Sequence, residues 1–362
     1  MNKMKINIGP QHPSTHGVLQ IITELDGENI VNCETEIGYL HRGMEKLAEN
    51  RTYLQYLPMV DRVDYLGGFF NSFAFCDAVE NLSQTEVPQR AKYIRVLMME
   101  LNRIASHLLW LGTYLLELGA ISPYFYAFRE REMILRFFEK LTGQRLMYNY
   151  FKFGGVRKDI EFTEDIEEIL KVLPEKLKDY ERIIADNPVF LERTKDMGII
   201  TEEAALNYSI TGPNLRATGI KYDTRKESDY YKDIDFNVIT AEKSDALNRY
   251  LVRTGEIKES MKIISQCLDW LKTDTSDCIS SKINEINLKL PEGEYISKTE
   301  APRGLTLCCL VSDGSEKPYR VKWRTGSFYA VQILPELLKG HTVPDIMAIY
   351  GSLDVILPEV DR

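Results

Sequence analysis

An α+β chain of several subdomains is what this sequence predicts, on three observations. Alternating apolar residues flank tight turns near both ends, and a helical three-and-four period runs through the middle. The length, 362 residues at 44% hydrophobic content, suffices for more than one core. The expected divisions are an N-terminal α/β hairpin region over 1–60, a central bundle of long helices over 61–272, and a C-terminal β-containing region over 273–362.

The first element expected is a strand at Lys5–Ile8 and the second a strand at Val18–Leu25. Between them runs Gly9-Pro10-Gln11-His12-Pro13-Ser14-Thr15-His16-Gly17. Glycine at both ends permits tight geometry, and each proline fixes φ and removes a donor, so this loop continues neither a helix nor a central strand. It holds His12 and His16, two of the five histidines, in place. An imidazole held this way donates or accepts a proton near neutral pH. The plainer alternative is a turn whose histidines satisfy local backbone groups.

Asp26-Gly27-Glu28 then marks a hairpin leading to a strand at Ile30–Ile37, and a helix follows through Arg42–Asn50. Pro88 opens the longest helix, where its missing donor is harmless. Along it Ile94, Leu97, Leu101, Ile104, Leu108, Leu111, Leu115 and Leu118 mark a core face. A second stripe, Glu100, Arg103, His107, Trp110, Tyr114 and Glu117, has the same spacing. Glu100 and Arg103 read as a solvated face. Tyr114 and Glu117, set among Leu115, Leu116 and Leu118, read as partly buried and in need of polar partners.

Further helices are expected at Ala127–Leu141, Thr163–Asp186 (with an exposed, ion-paired face) and Ser244–Lys272. Residues 273–292 read as a polar linker. Strands return at Leu305–Val311 and Tyr319–Arg324, joined by the turn Ser312-Asp313-Gly314-Ser315. A short helix at Pro344–Tyr350 precedes the tail Leu353–Arg362.

Several function classes are disfavoured. A net charge of −9 without a Lys/Arg block argues against nucleic acid as a partner. The short, mixed, polar start predicts no signal peptide. The six cysteines form no Cys-x-x-Cys pair, so the expected state is reduced thiols in a cytosolic compartment, with no disulfide framework, zinc site or iron–sulfur site. Leu108–Phe128 is the most membrane-like stretch, but Gly112, Glu117, Gly119 and Pro123 interrupt it, which predicts a buried helix rather than a span. His12 and His16 lack a third metal ligand and Pro13 breaks their helix, which disfavours a zinc site and a free-standing metalloenzyme. Ser14 lacks the elbow of a nucleophilic serine.

Three more segments concentrate unusual residues: Gly38-Tyr39-Leu40-His41-Arg42-Gly43, Asp61-Arg62-Val63-Asp64-Tyr65-Leu66-Gly67-Gly68, and Phe128-Arg129-Glu130-Arg131-Glu132. Arginines beside glycine-permitted backbone suit a buried anion, such as a sulfide-rich cluster on a neighbouring chain. For 129–132 the plainer reading is buried ion pairs.

With Gly9–Gly17, Ile37–Lys46, Asp61–Leu66, Glu100–His107, Phe128–Glu132, Gly143-Gln144-Arg145, Ser312-Asp313-Gly314 and the ending Val360-Asp361-Arg362, the chain resembles the quinone-site subunit family of respiratory complex I, the NADH-quinone oxidoreductases. That family is related to the large subunit of nickel–iron hydrogenases. The resemblance is colinear over essentially the whole chain. It implies a hydrogenase-large-subunit-like fold whose metal pocket has become a quinone pocket. The two Cys-x-x-Cys pairs of a hydrogenase are absent, so no nickel–iron site is expected.

The same resemblance implies roles residue by residue. His16 matches the quinone-binding histidine and Tyr65 the quinone-binding tyrosine, both donors able to polarise the quinone oxygens and pass protons. Glu117 stands where the family usually has the Asp that orients that histidine, one methylene longer. Arg42 and Arg62 match arginines beside the terminal iron–sulfur cluster of a partner, where positive charge raises its potential. Met147 stands where relatives carry a titrating histidine beside that cluster; a thioether holds no proton, which implies a lower, nearly pH-independent potential suited to a low-potential quinone or phenazine. After Glu300-Ala301-Pro302-Arg303-Gly304, Leu305 replaces a familiar acidic residue.

The implied assembly is a peripheral one at the cytoplasmic side of the cell membrane. Its implied partners are the iron–sulfur small subunit, a 30-kDa-type subunit and a membrane subunit forming the quinone channel. The implied function couples quinone reduction to proton or sodium translocation. The rival reading is a cofactorless scaffold in a hydrogenase-related ion-translocating complex that uses no quinone.

Overall fold

The computed structural model describes residues 4–12, 17–185 and 187–362. Strands β1 (Met4–Ile8), β2 (Gln11–His12), β3 (Gly17–Val18), β4 (Gln20–Asp26) and β5 (Asn29–Glu36) open the chain. An antiparallel sheet runs in the order β1-β4-β5, with Ile8 opposite Ile21 and Thr23 opposite Cys33. Gly27, at φ +65°, turns β4 into β5. β2 and β3 pair as a short ribbon, Gln11 with Val18.

Helices α1 (Met44–Ala48), α2 (Tyr53–Val60), α3 (Gly68–Leu82), α4 (Gln89–Glu117) and α5 (Ile121–Thr142) follow. Thr52 and Gln55 close a capping box on α2, and Gly143 at φ +77° ends α5. A two-residue hairpin, β6 (Phe151–Lys152) and β7 (Gly155–Val156), leads to α6 (Thr163–Tyr180), which continues as a π turn over Glu181–Ala185. Then come α7 (Pro188–Thr194), α8 (Glu202–Asn207), α9 (Gly212–Arg216), a 3₁₀ turn at Thr224–Glu227, and α10 (Ala246–Thr273), capped by Asp245. A second antiparallel sheet, β8 (Gly293–Ala301), β9 (Gly304–Ser312) and β10 (Arg320–Arg324), has β9 in the centre. Helices α11 (Gly326–Leu338), α12 (Asp345–Leu353) and α13 (Leu357–Asp361) finish the chain.

This is the mixed α/β architecture expected, with differences of physical origin. Leu108–Phe128 is not one helix: it breaks at Leu118–Ala120, where Gly119 adopts φ +93°. β8 is absent from the expectation because its first residues are polar and exposed, and only its last three are buried in sequence. The apolar stripe of α4 is buried as expected, from Ile94 to Leu118, each such side chain contributing about 1.5–3 kcal/mol. One core surrounds α3, α4, α5 and α10 and takes in Leu310 and Trp323 of the second sheet. Another joins Ile21, Leu25 and Ile30 of the first sheet to α11, α12 and α13, so the two ends of the chain share a core. Among the described residues, no helix is long and apolar enough to cross a membrane.

Candidate functional site

The turn at 61–67, between α2 and α3, is held by its own carboxylates. Asp61 accepts hydrogen bonds from the Ser72 hydroxyl and from the Asn149 amide at 3.0 Å; burial nevertheless pushes its carboxyl up to about 6. Asp64 accepts from the Leu66 amide at 3.0 Å and from Arg303 Nη1 at 2.8 Å. Gly67 permits this fold of the turn, since a Cβ there would stand 2.5 Å from Asp64 Oδ2. Tyr65, between these clamps, is half-buried. Burial first and Asp64 second raise its hydroxyl pKa, against the pull of Arg303 and Arg131.

Arg303 comes from the tip of the β8–β9 hairpin and is buried. That tip is seated by bare backbone: a Cβ on Gly326 would stand 2.2 Å from the Arg303 carbonyl oxygen. Besides Asp64, Arg303 donates to Ser106 Oγ at 3.0 Å and lies 3.7 Å from Asp354 Oδ1. Asp354 ends α12 in the left-handed region at φ +57° and stands 3.7 Å from Arg253 as well. Glu359 of α13 completes the group of carboxyls at this end. The C-terminal segment is thus a wall of the site. Sequence reasoning missed Arg303, Asp354 and Glu359; the available signal was a single charge in each apolar run, Leu353-Asp354-Val355 and Pro358-Glu359-Val360.

Beneath this cluster the polar stripe of α4 is enclosed. Glu100 and Arg103 are fully buried, not a solvated face, because α10 and the Asp223–Arg225 turn close over them. Glu100 accepts from Arg103 Nε at 3.1 Å, Arg225 Nη1 at 3.2 Å, Tyr231 at 2.8 Å and Ser260 at 2.6 Å. Burial opposes its charge, yet Arg103 and Arg225 prevail and hold its carboxyl at about 2. Arg216 spans Glu256 and Glu300, at 2.6 Å each, and His107 Nε2 lies 3.1 Å from Glu256. Burial lowers the His107 pKa against the pull of Glu256.

The remaining predicted residues fall as follows. His16 and Ser14 lie outside the described residues. Gly17, the next residue after His16, faces α13: a Cβ on it would meet Leu357 Cδ1 at 3.0 Å. The His12 backbone pairs with Gly17. Glu117 is half-buried at the end of α4, its carboxylate so close to α12 that a Cβ on Gly351 would stand 2.5 Å from it. Tyr114 is fully buried and donates to the Ala348 carbonyl at 3.2 Å. Glu117 and the end of the opening loop are therefore set against consecutive C-terminal helices.

Arg42 is exposed and donates to the Arg62 carbonyl at 2.6 Å. The Met147 loop is pinned to the same turn, through Asn149 on Asp61 and through Tyr148, whose ring stacks on Phe69 at 4.2 Å. Met147 itself is half-buried at φ +58°. Arg42, Arg62 and Met147 thus gather about one turn. In 129–132 the expected buried ion pairs are only partly present. The Glu130 carboxylate is buried and bonded to Tyr180, but its partner Arg129 is exposed. Glu132 pairs with Arg136 and Arg145 towards solvent. Arg131 is half-buried, and burial lowers its pKa against the pull of Tyr148 and Glu132.

Residues 117–362 match the family described as respiratory-chain NADH dehydrogenase, 49 Kd subunit. The chain is 46% identical over 363 aligned residues to the D-type subunit of NADH-quinone oxidoreductase from Bacillus cytotoxicus, covering 99% of this chain and 98% of the relative. It is 47% identical to the same subunit from Geobacillus thermodenitrificans and from Geobacillus kaustophilus, with the same coverage.

Proposed function

The chain belongs to the 49 Kd subunit family of respiratory-chain NADH dehydrogenase, and from that premise we propose that it forms the quinone-reducing site of a complex I-type oxidoreductase. It works within the complex, peripheral to the membrane on the cytoplasmic side. A small subunit supplies electrons from its terminal iron–sulfur cluster, a membrane subunit admits the quinone, and a 30-kDa-type subunit lies alongside. The fold on this reading is that of a hydrogenase large subunit whose metal pocket serves as the quinone chamber. Quinone reduction drives translocation of protons or sodium ions.

His16 and Tyr65 donate to the two quinone oxygens and supply a proton each, with Glu117 orienting His16. Arg42 and Arg62 place positive charge toward the partner's cluster, and Met147 lies beside it without a titrating proton. The observation that carries this reading is the 61–67 turn. It bears Arg62 and Tyr65 three residues apart and is locked by Asp61 on the Met147 loop and by Asp64 on Arg303. One rigid segment thereby connects the groups facing the electron donor to the hydroxyl meeting the acceptor.

Tyr65→Phe tests it. In the assembled complex, electron transfer to a short-chain quinone falls by about a hundredfold or more, while the partner subunits still co-purify. Normal turnover in this variant overturns the assignment of Tyr65.

A further inference from the structure

The second sheet runs β10-β9-β8, so β8 is an edge strand with β9 on one side only. Its register pairs Ala301 with Gly304 across a two-residue tip, then Thr299 with Thr306 and Ser297 with Cys308. Hydrogen-bonded pairs alternate from the tip. The odd-numbered residues therefore spend their amides and carbonyls on β9, and the even-numbered ones point theirs outward. Glu300 shows the outward direction, since its carbonyl accepts Arg103 Nη2 at 2.6 Å. The 3₁₀ turn closes on the strand at this residue, where the Thr224 amide meets the Glu300 carboxylate at 3.2 Å. Before that point the edge is bare. Among the described residues, no hydrogen bond from outside the sheet reaches the backbone of Glu294, Ile296 or Lys298, and all three residues are exposed.

This bare edge borders a groove of about 610 Å³ between β8, the end of α3 and residues 224–230. Tyr295 and Ile296 both line it. Successive strand residues face opposite sides of a sheet, so the groove runs along the edge itself and not over one face. Phe73 and Tyr230, edge to face at 4.8 Å, give it a small apolar lining. Most of the rest is charged, with Asp77, Glu80, Glu86, Glu227 and Asp229 against Lys92 and Lys298. Glu80 is matched by Arg95 at 2.6 Å; among the described residues the other four acids are in no ion pair. Such a lining does not suit a small apolar ligand. It joins a main-chain template to a surplus of carboxylates.

We propose that the open edge of β8 receives an extended basic segment of a neighbouring subunit, which adds to the second sheet as a fourth strand. The exposed stretch Glu294–Lys298 takes about five residues of such a segment. Main-chain bonds to Ile296 and Lys298 hold it, and lysines or arginines at alternate positions meet Asp77, Glu86, Glu227 and Asp229. The groove lies at the far end of α3 from the Tyr65 turn, about 20 Å away along the helix. The contact is therefore one of assembly, and it stands apart from the assignment of the quinone site.

The test compares the purified complex with the full chain expressed alone. Hydrogen exchange is followed at the amides of Ile296 and Lys298, and carbodiimide joins carboxylates to lysines in contact with them. In the complex both amides exchange about a hundredfold more slowly or less than in the chain alone, and the groove acids cross-link to lysines of one partner segment. Amides that exchange equally fast in both samples overturn the proposal. So do cross-links that lead only to this chain or to a second copy of it. Ile296→Pro removes an outward amide that the sheet does not use, so the strand is kept while the Lys298 protection and the cross-links are lost. Glu227→Lys with Asp229→Lys leaves the edge intact and reverses the charge; it too loses the protection, and a parent-like result in this variant overturns a basic occupant. Where Ile296→Pro does not assemble, the charge-reversed variant decides, because both of its changes lie on exposed side chains.

Discussion

Two buried clusters of charge lie along α4, and they treat their carboxylates in opposite ways. Around Glu100 and Glu256 the acids are matched by Arg103, Arg216 and Arg225, and both carboxyls are held well below the ordinary range. Around Tyr65 the acids Asp64, Asp354 and Glu359 gather about Arg303, and the carboxyls of Asp64 and Glu359 are pushed up by burial. The first arrangement fixes charge permanently and locks α4 to α10 and the 223–225 turn. The second leaves room for a proton. On the proposed function, ion pairing in the core goes with scaffold and a shortage of cations with the site of chemistry.

The largest effect that can break this contrast is Glu100→Ala. It strands Arg103 in the core without its ion-pair partner and leaves Arg225 with Asp223 alone, and the expected loss is about 3–5 kcal/mol, seen as a lower melting temperature and poor recovery of assembled complex. A variant as stable as the parent makes the matched cluster dispensable.

Next is Asp64→Asn. Arg303 loses its 2.8 Å partner and the Tyr65 turn loses its clamp, while the amide retains a bond to Leu66. A displacement of Tyr65 by about an ångström predicts a kcat loss of about ten- to a hundredfold in folded, assembled complex. Unfolding in place of inactivation would put Asp64 with the scaffold group.

A smaller effect appears in stability against pH. The Glu100 carboxyl, lowered in the folded chain, contributes stability that is present above its ordinary value and lost as pH falls towards about 2. Asp61 and Glu359, raised to about 6 and about 7, contribute in the other sense: full below their ordinary values, lost as pH rises through those numbers. The melting temperature of the complex is expected to peak in mild acid. Asp61→Asn removes part of the decline between about pH 4 and 6, an effect of about 1–3 kcal/mol. An unchanged slope assigns the decline to other groups.

How far the sequence shows this contrast depends on who supplies the partners. The apolar stripe of α4 needs only its own spacing to be read, and it was legible from Ile94 to Leu118. The burial of Glu100 and Arg103 was not, because the groups that enclose them, Arg225, Tyr231 and Ser260, lie more than a hundred residues away and carry no periodic signal. Leu108–Phe128 looked continuous because apolar residues flank the Gly119 break on both sides. Arg62, Tyr65 and Met147 were found through resemblance, and their gathering about one turn needed the contacts of Asp61 and Phe69. Asp354 and Glu359 sat unread in the tail, since a lone acid among apolar residues does not announce which arginine it lacks.

The smallest effect on turnover is expected at Met147, and it tests the electron-donor side of the turn. Its thioether has no proton to gain or lose, so on the proposed placement the partner's terminal cluster has a nearly pH-independent potential. Met147→His introduces a titrating ring at a backbone position of φ +58°, a region histidine enters more readily than most residues. The loop is pinned by Asn149 on Asp61 and Tyr148 on Phe69, so the exchange leaves the surrounding structure in place. Turnover should change less than about threefold, while the cluster midpoint gains a slope that approaches about 59 mV per pH unit near neutrality. Redox titration of the assembled complex at several pH values reads this directly. A clear slope already present in the parent complex removes Met147 from the account of the potential, and a slope absent from both shows that the ring does not sense the cluster from this loop.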